Sequence, residues 1–254
     1  MSNQPRLDRF DSSQAEPSGC SVLVCLPPGA TLDPVLLPAL ITERMREHTT
    51  YSPSRLCGGH LAASPRLTPA EQARLLVSPR PAGALLHCAG GPLGLLDRSS
   101  IAEVTEQVAA AIHEAWEDAV AGTPEAMPRR AFGLPDQDPE LLEAQDLAFL
   151  EQPRMTAVVQ DMMRGALLAE ATEFGPALEA HQLGGAAFTR YVVGSVCYGD
   201  ALITLDRTAL RCGHSNRSPL LHSLADRDAY TTAARDYLAG LDPRTLLVAT
   251  HGHF

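Results

Sequence analysis

The first eighteen residues carry no apolar period; Ser, Asp, Gln and Pro dominate them. Such a stretch buries too little surface to repay the entropy of ordering. We therefore expect a disordered tail over 1–18 and a single globular domain over 19–254. The run CSVLVCLP from Cys20 is apolar and β-branched and stops at Pro27-Pro28-Gly29, the pattern of a buried strand. A helix follows, capped by Asp33 with Pro34 at its first position, running to about His48 unless Pro38 delays its start. Residues 49–67 show no period and read as irregular. Thr68-Pro69-Ala70-Glu71 is a capping-box start, predicting a short helix to about Val77, and GALLHCAGG (83–91) is a second strand candidate.

Ser100-Ile101-Ala102-Glu103 repeats the capping-box pattern. Ile101, Val104, Val108, Ile112, Trp116 and Val120 then fall at steps of three and four, an amphipathic helix that Gly122 stops. His113 reads as a solvated imidazole on its polar face, near Glu106 and Glu117. Pro124, Pro128 and Pro135 mark 123–138 as a linker and a possible lobe division, and Asp138-Pro139 opens a helix to about Leu150. From Arg154 to Thr172 the apolar positions, Met155 to Leu167, spread so widely that this helix should be central. RYVVGSVC and ALITLDR flank Tyr198-Gly199-Asp200 and predict a β-hairpin over 190–207. Asp226 opens a last helix closed by Gly240, and TLLVAT makes the final strand. Interspersed strands and helices give an α/β or α+β fold, a mixed sheet with flanking helices, the late hairpin and a C-terminal helix-strand.

Composition narrows the chemistry. The chain has 254 residues, 45% hydrophobic and only 5% aromatic, so the core must be built from Leu, Ala and Val. All twenty Lys-plus-Arg positions are Arg. A pyridoxal phosphate Schiff base and a Lys-type P-loop for nucleotides are thereby excluded, since both need an ε-amine. Lysine-free usage points to a GC-rich bacterium as source. A net charge of −10 argues against nucleic acid or an anionic membrane as partner. Six cysteines are too sparse for a disulfide scaffold, the polar N-terminus does not read as a signal peptide, and no apolar run is long enough to span a bilayer, so we expect reduced thiols in a soluble, cytoplasmic protein.

The densest chemistry is Arg55-Leu56-Cys57-Gly58-Gly59-His60. A thiolate beside an imidazole is the minimal activated nucleophile, and two glycines can expose backbone amides to an oxyanion. We expect Cys57 as nucleophile and His60, or a C-terminal His, as base. Gly58 and Gly59 would be oxyanion donors and Arg55 the anchor of an anionic group, in acyl transfer or hydrolysis of a small-molecule or peptide-like substrate. A second class is a non-catalytic binding or accessory protein whose thiols are core residues. A third is a zinc-dependent hydrolase, with Cys57, His60, Cys212, His214, His251 and His253 as ligands, although none of these pairs has the Cys-x-x-Cys spacing that marks zinc. We expect no metal and no organic cofactor. Asp200 and Asp206 read as turn formers, and Arg129-Arg130 as a surface spot.

Short stretches resemble known families. LLVATHGHF resembles the strand-plus-His segment of metallo-β-lactamase-fold hydrolases and the Ala-Thr-His-Gly turn of caspase-like CHAT proteases, whose patterns both run on past the histidine. Gly213-His214-Ser215-Asn216-Arg217 resembles an α/β-hydrolase nucleophile elbow, with Arg217 in place of the second Gly and too few residues between Ser215 and His251. None is carried over as a family.

Overall fold

The structure is a computed structural model that describes residues 20–31, 33, 35–48, 50–56, 60–76, 80–82, 85–133, 139–163, 176–212 and 223–253. The expected tail over 1–18 lies outside them. In chain order the elements are β1 (Cys20–Leu26), α1 (Leu37–Met45), β2 (Thr50–Leu56), β3 (Leu61–Ala63), α2 (Pro69–Gln72), β4 (Arg80–Ala82), β5 (Leu85–Cys88), β6 (Gly90–Pro92) and α3 (Arg98–Val120). There follow α4 (Pro139–Leu150), α5 (Pro153–Met163), α6 (Pro176–Gln182), α7 (Gly185–Tyr198), β7 (Ala201–Ile203), β8 (Ala209–Arg211), α8 (Leu224–Ala239) and β9 (Leu246–His253). The class is mixed α/β, as the interspersed pattern implies. The main sheet runs β2-β9-β1-β7-β8, with β6 also paired to β9. Among the described residues only β1 and β7 are parallel in it. A second small sheet orders β3-β5-β4.

Period-2 alternation divides β1 between two cores. Val22, Val24 and Leu26 face α1 through Leu37, Ile41 and Met45. Leu23 and Cys25 face Tyr230, Ala234 and Leu238 of α8, together with Leu61 and Ala63 of β3. A third core joins α3, α5, α6 and α7 around Trp116, Met155, Phe188 and Tyr191.

Several elements differ from the pattern-based expectation. Residues 50–56 and 61–63 are strands, because they pair with β9 and β5 despite lacking a period of their own. Residues 190–198 are helix: Ala187, Phe188, Tyr191, Gly194 and Cys197 line one buried face at helical spacing, and this outweighs the strand preference of three valines. The hairpin exists one element later, between β7 and β8. α3 starts earlier than expected because Asp97, not Ser100, caps it, accepting from Ser100 N at 3.0 Å. Its buried stripe is Ile101, Thr105, Ala109, Ile112, His113, Trp116 and Val120, leaving Val104 and Val108 51% and 39% exposed. The described part of the 154–172 segment, α5, buries Met155 and Val158 while Thr156 and Gln160 face solvent; the rest of that expected helix, from residue 164 on, lies outside the described residues. Arg129 is not a surface spot: it is buried and paired with Asp146. Within 123–133, Gln182 bonds both backbone groups of Ala126, and Arg154 donates to the Thr123 carbonyl, so this stretch is docked on the helices. The capping box at Thr68 forms as its sequence implies, whereas α8 is opened by Ser223, with Asp226 as the reciprocal partner three residues into the cap rather than the opening residue.

Candidate functional site

The polar residue of β1 is Ser21, on the face that carries Leu23 and Cys25. It sits at the end of the sheet where three other elements arrive. β3 begins at Leu61, so His60 enters beside it, and Ser21 Oγ lies 3.2 Å from His60 Nδ1. β9 runs antiparallel to β1 and sets His251 directly opposite Ser21, so the two side chains leave the same face. β7 runs parallel and is preceded by Asp200, whose carboxylate accepts from Ser21 N at 2.8 Å.

The local chain explains this convergence. α7 ends at Gly199, which has φ 63°, and a Cβ there would stand 2.7 Å from the Ser21 carbonyl oxygen. Only glycine lets the helix end come that close. Asp200 N then donates to that same oxygen at 2.8 Å. Arg227, buried on α8, donates to Asp200 Oδ1 at 3.0 Å and to the Gly199 carbonyl at 2.7 Å. Tyr230 donates to the Tyr198 carbonyl one turn further along α8.

Electrostatics follow from the same contacts. Burial pulls the His60 pKa down, Asp200 partly restores it, and His251 lowers it further. His60 is thus held neutral at pH 7, as an acceptor of a proton needs. Its Nε2 is buried and has no hydrogen-bond partner among the described residues. With Ser21 Oγ–H donating to Nδ1, the imidazole proton resides on Nε2. Burial also opposes the charge on Arg227, but Asp200 and then Tyr191, Tyr230 and Cys212 more than offset it, so the guanidinium remains charged. Burial pushes the Cys212 thiol up to about 11, against the lowering effect of Arg227.

Of the residues singled out from sequence, His60 bonds Ser21 and His251 stands opposite Ser21 at this end of the sheet, and Cys212 lies behind Asp200, its N–H donating to the Asp200 carbonyl at 3.5 Å. Cys57, Gly58, Gly59, His214 and Ser215 lie outside the described residues. Of Arg55 and His253 only the backbone is described, in β2 and β9, where Leu56 pairs with Thr250 and so brings β2 alongside the approach to His251. Among the described residues no group of three or more His, Cys, Asp or Glu side chains is placed to hold a metal. Asp206 does not join Asp200; it closes the β7–β8 turn with Thr204 and Thr208. His113 is not solvated but buried against His181, away from this site.

Sequence reasoning missed Ser21 and Arg227. Their signals were present: Ser21 is the one hydroxyl in an apolar strand, and Arg227 falls on the stripe of Leu224, Tyr230, Ala234 and Leu238, where an apolar residue is the norm. Compared with known proteins, the chain matches no family model, and no curated protein and no solved structure is significantly similar to it.

Proposed function

We propose that the chain is an enzyme of acyl transfer or hydrolysis, with His60 as general base and the Ser21 hydroxyl as nucleophile, acting on a small-molecule or peptide-like substrate. The observation that carries this reading is the 3.2 Å approach of Ser21 Oγ to the Nδ1 of a neutral imidazole. An alcohol becomes a competent nucleophile when a positioned base takes its proton in the transition state, an effect of roughly 10²–10⁴-fold. Ser21 Oγ attacks the substrate carbonyl carbon while its proton passes to His60 Nδ1. The tetrahedral anion collapses, His60 returns that proton to the leaving group, and the acyl group is left on Ser21. Water, or an acceptor nucleophile, then repeats the sequence and frees the serine. Gly58 and Gly59 amides are the proposed oxyanion donors and Arg55 the proposed anchor.

No metal or organic cofactor is needed for these steps. The net charge of −10 disfavours nucleic acid as substrate. No described helix is long and apolar enough to cross a membrane. With sparse cysteines added, we place the reaction in the cytoplasm.

Turnover of activated esters and thioesters by the parent, Ser21→Ala, His60→Ala and Cys57→Ala chains tests the reading. A loss of at least about 100-fold in the first two variants, with Cys57→Ala unchanged, is expected. Loss confined to Cys57→Ala and His60→Ala gives the nucleophile's role to the thiol three residues before His60. Stoichiometric zinc whose removal abolishes turnover supports the metal-dependent class, and no turnover of any acyl donor supports a binding or accessory protein.

A further inference from the structure

We infer that Asp200 and Arg227 are the positioning pair of this site, holding the Ser21 backbone so that its hydroxyl meets His60. The inference rests on the reading of Ser21 as nucleophile. Ser21 and Asp200 exchange two hydrogen bonds, Ser21 N to Asp200 Oδ2 and Asp200 N to the Ser21 carbonyl, both 2.8 Å. On its other side Ser21 is paired with His251 in the β1–β9 ladder. Both backbone groups of Ser21 are thereby spent on Asp200, with His251 opposite across the ladder, and its side chain is the part left to bond His60.

Asp200 is in turn held by Arg227, and the hold is two-pronged: Nη1 bonds the carboxylate and Nη2 bonds the Gly199 carbonyl. A planar guanidinium fixes direction as well as distance, which a single ammonium does less well. Arg227 is only 5% exposed and its guanidinium lies 5.5 Å from the Tyr230 ring centroid, so the fork has little freedom to wander. The base of the fork is anchored too. Ser223 and Asp226 form the capping box of α8, and Leu224 N donates to Glu179 of α6. A line of fixed contacts therefore runs from α6 through α8 and Arg227 to Asp200, Ser21 and His60.

Burying this charge is not explained by stability. The Asp200 side chain is 39% exposed, so the pair is buried on one side only, and such an ion pair contributes little net energy relative to well-packed apolar residues. Three neighbours of Arg227 on the α8 stripe, Leu224, Tyr230 and Leu238, are apolar or aromatic, as that environment favours. What the Arg227–Asp200 pair provides, and an apolar pair would not, is a fixed acceptor aimed at Ser21 N–H. Positioning of a nucleophile to within about an ångström is worth roughly 100-fold in rate.

The test is the reaction of Ser21 with a fluorophosphonate, followed to saturation in the parent, Asp200→Ala, Arg227→Leu and Arg227→Lys chains, with hydrogen exchange at the Ser21 amide measured alongside. The expected result is a maximal labelling rate about 10–100-fold lower in Asp200→Ala and Arg227→Leu, with the half-saturating concentration within about twofold of the parent. Arg227→Lys, which keeps one positive donor opposite Asp200 but loses the fork, falls between the parent and Arg227→Leu. Ser21 amide exchange speeds up in Asp200→Ala while that of Val24 in the same strand does not. A rate loss that merely follows the unfolded fraction, a shift in half-saturation instead of rate, an Arg227→Lys chain as slow as Arg227→Leu, or unchanged Ser21 exchange overturns the inference. A parent chain that never labels at Ser21 overturns the nucleophile reading, and the amide exchange then still decides whether the pair positions Ser21.

Discussion

The Nδ1 atoms of His113 on α3 and His181 on α6 lie 3.0 Å apart in the helical core. The His181 ring stacks on Phe188 at 3.5 Å and on Trp116 at 4.6 Å between centroids. One proton fits between the two nitrogens. His113 Nε2 faces Glu117 at 3.6 Å, so a tautomer in which His181 Nδ1–H donates to His113 Nδ1 leaves the His113 Nε2–H directed toward that carboxylate.

This pair makes stability depend on pH. Burial, and then the nearness of His113, pull the His181 pKa down to about 3 from the ordinary 6.5. The unfolded chain takes up this proton as pH falls through 6.5, while the folded chain resists it until about 3. Stability is therefore complete above pH 6.5 and declines below it, by about 1.4 kcal/mol per pH unit. At pH 5 the loss is about 2 kcal/mol. Urea midpoints at pH 7.5 and 5 should show this drop in the parent and little of it in His181→Phe. An equal drop in both would show that another group carries the linkage.

Gly199 and Gly122 both have positive φ, at 63° and 77°, but differ in what surrounds them. A Cβ at Gly122 meets nothing within 4 Å, whereas at Gly199 it meets the Ser21 carbonyl oxygen at 2.7 Å. Gly122→Ala should cost about 1 kcal/mol, the strain of the backbone alone. Gly199→Ala should cost about 3 kcal/mol or more, because the clash is with main chain that cannot rotate away. Thermal unfolding of the two variants checks the ranking, and equal losses would mean that the approach of α7 to β1 is looser than described.

On α3, Val108 projects to solvent and Ile112 into the core beside Trp116. Val108→Ser should change stability by less than about 0.5 kcal/mol, and Ile112→Ala should lower it by about 2–4 kcal/mol. Denaturant titration of both decides which stripe is buried.

Burial pushes the thiols of Cys88, Cys197 and Cys212 up to about 11 and that of Cys25 to about 12. Because the thiolate is the reacting form, these four should alkylate slowly at pH 8 in the folded protein and quickly in urea. Site-mapped alkylation measures this directly. Fast native labelling of Cys212 would indicate an open path to the site that its 6% exposure does not provide.

The legible parts of the fold were those that local chemistry specifies. β1 was marked by its apolar run and by Pro27-Pro28, and the capping box of α2 read directly, while at α8 Asp226 drew the eye and the cap itself is Ser223. β2 was not legible, because its partner β9 lies almost two hundred residues away and only that pairing makes it a strand. α7 misled for a related reason: Val192, Val193 and Val196 prefer strands in isolation, and the packing of Phe188 and Tyr191 against the helical core overrode them. At the site, His60 stood out because it lies beside Cys57 and two glycines. Ser21, Asp200 and Arg227 are spread over β1, the α7–β7 turn and α8, and no local spacing connects residues that only the sheet order brings together.

Activation of the Ser21 hydroxyl by His60 is read from the mass of the intact protein and of its peptides after exposure to a fluorophosphonate. One adduct per chain is expected, mapped to Ser21, absent in Ser21→Ala and formed at least about 100-fold more slowly in His60→Ala. An adduct at another residue, or none on folded protein, would contradict it.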